Sequence, residues 1–165
     1  MAIYHLSVKI GSRANGNSAV ASASYRSAEK LHSQTDNKTF DYTRKQAVVY
    51  TEIMLPENAP EEYADREILW NGVEMSEKQA NAQLYREFEI SLPNECTRDE
   101  QIEMTRRFAD SLRQEGMCVD IAIHDVKAGQ YRTKHRKTTT DNCHAHIMCT
   151  LRSVDGNGKF LAKRI

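Results

Sequence analysis

Residues 141–151, Asp-Asn-Cys-His-Ala-His-Ile-Met-Cys-Thr-Leu, set two histidines around one small residue and run on into apolar chain. Extended backbone sends alternate side chains to opposite faces. His144 and His146 therefore point the same way, roughly 6–7 Å apart along a strand, while Ala145, Ile147 and Cys149 turn to the other side. The chain must then build a sheet with one packed face and one face that carries imidazoles. Paired imidazoles on a strand are a common start for a metal site, although a lone His-x-His also arises by chance.

A third histidine extends the pattern. Residues 118–125, Cys-Val-Asp-Ile-Ala-Ile-His-Asp, read as another strand with Val119, Ile121 and Ile123 on one face and Asp120, Ala122 and His124 on the other. If the two strands pair across 126–140, all three imidazoles converge. Three protein ligands with open positions is the arrangement of a catalytic metal rather than a structural one. The competing reading leaves His124 at a strand end in solvent.

At 165 residues the chain is long enough for one good core, and we expect a single domain over 1–165. Its 39% hydrophobic and 28% charged residues are ordinary for a soluble globular protein. No apolar run approaches the ~20 residues of a membrane span, and no signal-peptide pattern opens the chain, so membrane insertion is not expected. Cys96, Cys118, Cys143 and Cys149 form no CxxC pair and fit reduced, mostly buried thiols in a cytoplasm. Charge is uneven: residues 1–50 hold seven Lys/Arg against three Asp/Glu, 51–115 seven against 16, and 116–165 nine against four. This suits a polyanion held by the basic ends, with an acidic helical back facing solvent. Zero net charge excludes indiscriminate nucleic-acid coating and leaves room for a local groove.

Residues 3–10 alternate as a half-buried strand, with Tyr4, Leu6, Val8 and Ile10 on one face. A turn over 11–17 follows, and Ser18 caps a helix expected to run to about Leu31. Its Ala19, Ala21, Ser22 and Ala23 allow close approach to another surface. Tyr25 on this helix reads either as an amphipathic anchor or as a phenol able to attack phosphorus. Arg26 reads as a phosphate contact or a solvated cation. Residues 32–44 are polar, with a turn at Asp36-Asn37, and carry no further signal. A strand is expected over 47–55, then a helix from Pro60 to about Leu84, divided near Asn71-Gly72. Residues 87–93 alternate, with Phe88, Ile90 and Leu92 toward the core and Glu87, Glu89 and Ser91 opposite. Thr97 and Glu100 form a capping box for a helix that Gly116 stops. Tyr131, Arg132, Lys134, Arg136 and Lys137 make a basic loop. It is either a solvated hairpin or a track for a phosphate backbone, with Tyr131 stacking on a base.

Four stretches together resemble the N-terminal nicking domain of the MobA/MobL (MobQ-type) plasmid mobilisation relaxases, members of the HUH endonucleases. They are the opening Met-Ala-Ile-Tyr-His-Leu-Ser, Ala-Ser-Ala-Ser-Tyr-Arg-Ser at 21–27, Arg-Glu-Phe-Glu-Ile-Ser-Leu-Pro at 86–93, and Asn-Cys-His-Ala-His-Ile-Met at 142–148. The resemblance implies an α+β fold, a central antiparallel β-sheet with helices packed on one face and the active site on the other. It implies nicking and rejoining of one DNA strand at a plasmid origin of transfer through a covalent 5′-phosphotyrosine. Tyr25 matches the nucleophile, His124, His144 and His146 the metal ligands, and Glu87 the carboxylate that assists the tyrosine, with Glu89 two residues on as its rival. The implied cofactor is a divalent metal. Three nitrogen ligands suit Mn²⁺ or another transition metal better than oxygen-seeking Mg²⁺, and the ion stays open. A phenol titrates near pH ~10, so a base or the metal's field must help remove its proton. The implied partners are single-stranded or hairpin origin DNA, relaxosome accessory proteins and a type IV secretion coupling protein. The expected location is the bacterial cytoplasm, with transfer to the recipient alongside the DNA. Such relaxases usually continue further, so the chain reads as an N-terminal fragment.

Three alternatives stand beside this. A rolling-circle replication initiator or transposase shares the chemistry but usually places its tyrosine after the histidine pair. A metal-independent single-stranded or hairpin DNA-binding module would use the basic loop alone. A zinc-stabilised structural domain would enlist Cys143 or Cys149 with the histidines and unfold on chelation.

Overall fold

The computed structural model describes residues 5–127 and 142–163. In chain order the elements are β1 (Leu6–Ser12), α1 (Ala19–Ser27), β2 (Lys30–Ser33), β3 (Lys38–Asp41), β4 (Val48–Met54) and α2 (Arg66–Ser76). There follow β5 (Gln83–Ser91), α3 (Arg98–Gln114), β6 (Val119–Val126), β7 (Asn142–Cys149), β8 (Arg152–Val154) and β9 (Phe160–Lys163). Five strands form one sheet in the order β1-β5-β7-β6-β4, and β2–β3 and β8–β9 are separate two-stranded pairs. Every pairing in the large sheet is antiparallel. The fold is α+β, as expected.

β6 and β7 pair in the register the alternation requires, with His124 opposite His144 and Ala122 opposite His146. On the other side of β7, β5 sets Glu89 opposite His146 and Ser91 opposite His144. Val119, Ile121, Ile123, Ala145, Ile147 and Cys149 form a dry face that packs with Ala109 of α3. Phe88 meets Phe108 edge to face at 5.1 Å. α3 begins with the expected capping box between Thr97 and Glu100. It ends before Gly116, whose φ of +93° suits a residue without Cβ.

The layering is fuller than helices on one face alone. α3 lies opposite the histidines, whereas α1 and α2 lie on the histidine side, where Trp70, Leu69, Ala19, Val20 and Ala23 pack with Met148 and Tyr85. Tyr85 crosses Gly11 so closely that a Cβ there would meet its ring at 2.1 Å. Its hydroxyl shares a 2.8 Å hydrogen bond with Ser22 of α1. The small residues of α1 are what permit this approach.

Several boundaries depart from expectation. α1 ends at Ser27, not near Leu31, because Ala28 turns left-handed at φ +57° and the Ser24 hydroxyl donates to the carbonyls of Glu29 and Phe40. The stretch after it is the β2–β3 hairpin, turned at Asp36-Asn37 as expected. The helical region after Pro60 is a short 3₁₀ turn, Glu61–Ala64, and then α2, so the break falls at Asp65. α2 runs straight through Asn71-Gly72, since the Asn71 side chain bonds His32 and Gln34 of the hairpin and Glu67 of its own helix. Glu74 is no surface acid. Buried on α2, it accepts from the Ser18 hydroxyl at 2.9 Å and from the Ala19 amide at 2.6 Å, a carboxylate at the positive end of α1. β1 is only an edge. Leu6, Val8 and Ile10 are 59%, 53% and 42% exposed, because α3 covers β6, β4 and β7 and leaves β1 bare. The expected burial of that apolar face does not occur.

Candidate metal centre and nucleophile

β6 and β7 carry His124, His144 and His146 to one end of the sheet, where a ring nitrogen from each lies within 4.8 Å of the others. Ring centroids stand 5.3 Å apart for 124–144, 4.5 Å for 124–146 and 4.8 Å for 144–146. Each ring is held from outside the cluster or left open toward it. His146 donates through Nδ1 to Glu87 Oε1 at 2.7 Å. His124 donates through Nε2 to the carbonyl of Arg26 at 2.8 Å. These two bonds fix the tautomers and leave the second nitrogen of each ring as a lone pair. His144 Nδ1 is buried with no hydrogen-bond partner among the described residues. Burial lowers the His124 pKa to about 3 and the His144 pKa to about 4, with the neighbouring histidines adding to the effect. Imidazole nitrogens gathered in one cluster, with His124 and His146 turned by outer partners, are what a divalent ion requires. The residues fit the metal.

Glu87 is 2% exposed. Arg26 grips it twice, Nε to Oε1 at 2.9 Å and Nη2 to Oε2 at 3.1 Å, while His146 shares Oε1. Burial alone would raise its pKa, but the hydrogen bonds from His146 and Arg26, with the Arg26 charge, hold it down to about 2. A carboxylate so engaged is a poor proton acceptor, which counts against the tyrosine-assisting role expected for it. Arg26, expected on a DNA phosphate, turns inward to Glu87. Glu89 lies on the same face, part-exposed and within 4.8 Å of the Glu87 and His146 ligand atoms.

Tyr25 sits in the last turns of α1, 43% exposed, one residue before the carbonyl that orients His124. Its ring meets Tyr42 edge to face at 5.2 Å and lies 5.1 Å from the Arg26 guanidinium. Lys45 Nζ stands 3.6 Å over the ring centroid and donates to the Tyr25 carbonyl at 3.0 Å. The sequence reading missed Tyr42 and Lys45. The signal was available in register: β4 sets Val48 opposite His124, so the residues just before Val48 must arrive at the histidine end. The basic stretch with Tyr131, Arg132, Lys134, Arg136 and Lys137 lies outside the described residues. Cys143 and Cys149 pack in the dry face, turned away from the histidines, so a mixed Cys/His zinc site has no geometry here. No helix among the described residues is long and apolar enough to cross a membrane.

The chain is similar over its whole length to conjugal transfer protein TraA of Agrobacterium fabrum, at 37% identity, covering 15% of that protein. Mobilization protein MobL of Acidithiobacillus ferridurans is 35% identical across the whole chain, which covers 47% of it. The chain thus spans less than half the length of either relative. A solved structure described as "Molecular Basis of Vancomycin Resistance Transfer in Staphylococcus aureus" superposes with a TM-score of 0.84 and 41% identity, covering 99% of this chain and 78% of that one. The model of the MobA/MobL family matches residues 17–165, and with it the chain belongs to the MobA/MobL family.

Proposed function

We propose that the chain nicks single-stranded DNA at an origin of transfer, with Tyr25 as nucleophile and His124, His144 and His146 as ligands of a divalent ion. One observation carries this reading. The helix that presents Tyr25 is bonded to the histidine cluster through the Arg26 carbonyl and His124 Nε2, a contact that supports their acting together. The relatives named for conjugal transfer and mobilization support the substrate class.

In this reading the Tyr25 hydroxyl attacks phosphorus and the bond from phosphorus to the 3′ oxygen breaks. The 3′ oxygen leaves as a hydroxyl on taking up a proton, and the 5′ side stays as a phosphotyrosyl ester. A bound divalent ion supplies polarisation of the scissile phosphate and offsets charge in the transition state. Glu87 positions His146 and locks Arg26 rather than serving as base. Of the two β5 carboxylates grouped with His146, Glu89 is the less committed, and the role of accepting the phenol proton passes to it. Because the ester stores the bond energy, the 3′ hydroxyl can reverse the step and rejoin the strand.

The test uses tiled single-stranded oligonucleotides covering the DNA that flanks the chain's own gene, incubated with Mn²⁺ and analysed by denaturing gel and intact mass. The expected result is a covalent adduct on Tyr25 that chelator prevents and Tyr25→Phe abolishes, with DNA binding retained. An adduct that survives Tyr25→Phe, or DNA binding with no adduct under any ion, overturns the reading.

A further inference from the structure

Lys45 takes no part in the mechanism above, yet among the described residues it is the cation nearest the Tyr25 ring, 3.6 Å from its centroid. The loop before β4 holds it there. Asp41 Oδ1 accepts from the Thr43 amide at 3.0 Å and the Thr43 hydroxyl at 2.6 Å, and the Lys45 amide donates to the Tyr42 carbonyl at 2.9 Å. The side chain then crosses the ring and donates one proton to the Tyr25 carbonyl. An ammonium has three donors, so two remain. Among the described residues no carboxylate pairs with Lys45, since the nearby Glu87 is already bound by Arg26 and His146.

We propose that Lys45 is the cation that receives the scissile phosphate, holding a non-bridging oxygen of a single-stranded DNA phosphodiester in front of Tyr25. This rests on Tyr25 being the nucleophile. A cation over an exposed aromatic ring gains little, and a charge-assisted bond to a phosphate oxygen is the stronger contact. Exchange of ring for phosphate is therefore favourable, and the bond to the Tyr25 carbonyl keeps the ammonium beside the attacking group throughout. Burial and the charge of Arg26 lower the Lys45 pKa to about 8, the condition of a cation that gains from an arriving anion. The contact also carries charge at the moment of attack, when negative charge on the equatorial oxygens must be matched by fixed donors.

The experiment measures single-turnover adduct formation at saturating DNA for the wild-type chain, Lys45→Met and Lys45→Arg, with DNA affinity and melting temperature recorded for each. Lys45→Met is expected to slow adduct formation roughly 100-fold with melting unchanged, and Lys45→Arg, which keeps the charge, to restore most of the rate. Lys45→Gln replaces Lys45→Met if the latter fails to fold. Three results overturn the proposal: Lys45→Met at the wild-type rate, a change confined to DNA affinity, or equal slowing in Lys45→Arg, which would require proton transfer rather than charge. A wild-type chain that forms no adduct refutes the nucleophile assignment itself. One that forms it while Lys45→Met keeps pace refutes the Lys45 role alone.

Discussion

One face of the five-stranded sheet presents Val119, Ile121, Ile123, Ala145, Ile147 and Cys149 to α3. The other face, on the alternate residues of the same strands, presents Asp120, His124, His144, His146 and Glu87 to α1 and α2, and most of these are equally removed from water. The dry face needs only area and fit. On the polar face each group needs its own partner, because a buried charge or donor left alone costs more than its pairing returns. Asp120 accepts from Arg66 through Nε and Nη2 and from Trp70 Nε1 at 2.9 Å, which pins α2 to β6. Glu87 is shared by Arg26 and His146, which pins α1 to β5 and β7. His144 Nδ1 is one of three buried side-chain atoms left unbonded among the described residues, with Ser7 Oγ on the same face and Asp125 Oδ1. Pairing is nearly complete where it holds the fold, and of the three unbonded atoms His144 Nδ1 belongs to the histidine cluster.

Substitutions separate the two faces. The largest effect is expected from His144→Ala with His146→Ala, which should cut adduct formation by at least about 1,000-fold while melting shifts only a few degrees. A collapse of melting would mean the pair is structural. Asp120→Ala should cost about 3–5 kcal/mol in urea denaturation, since it removes the buried acceptor shared by Arg66 and Trp70 and leaves Arg66 only the half-exposed Glu29. A loss under 1 kcal/mol would show that solvent reaches the pair. Ile147→Val on the dry face should cost only about 1 kcal/mol and leave adduct formation per folded molecule unchanged. A matching loss of activity would mean the faces are not independent.

Acid is the mildest probe. His124 and His144 take up protons in the unfolded chain near the ordinary pH 6.5 but in the metal-free fold only near 3 and 4. The unfolded state therefore binds more protons between those limits. Stability is full above pH 6.5 and falls as pH drops, by roughly 1 kcal/mol from pH 7 to 6. Flat stability across that range would show that the histidines are more hydrated than their burial indicates.

The dry face was legible in the sequence because strand alternation is local: Ile121, Ile123, Ala145 and Ile147 mark themselves without a partner. The histidine set was legible for the same reason, once β6 and β7 were taken as neighbours. The capping box at Thr97 and the stop at Gly116 are likewise written in adjacent residues. What escaped depends on distant chain. The end of α1 is set by Ser24 reaching Phe40, and the run of α2 through Gly72 by Asn71 reaching the hairpin. Glu74 looks like a solvated acid until α1 is placed on it. That Arg26 and His146 engage both oxygens of Glu87 depends on α1 and β7 meeting β5, and no local pattern shows it. Lys45 lay in a stretch without any periodic signal, and only the register of β4 against β6 brings it to Tyr25. The apolar alternation of β1 was read correctly as a strand, but alternation does not say whether a helix covers it.

The central claim is that three imidazoles, two of them turned by Glu87 and the Arg26 carbonyl, form one metal site. Calorimetric titration of the metal-free chain with Mn²⁺ tests it most directly, alongside His144→Ala and Glu87→Gln. The account predicts one ion per chain, binding lost in His144→Ala, and affinity reduced about 10–100-fold in Glu87→Gln, where the partner that orients His146 is weakened. Mn²⁺ binding that is unaffected by either substitution, or none in the wild-type chain, would contradict it.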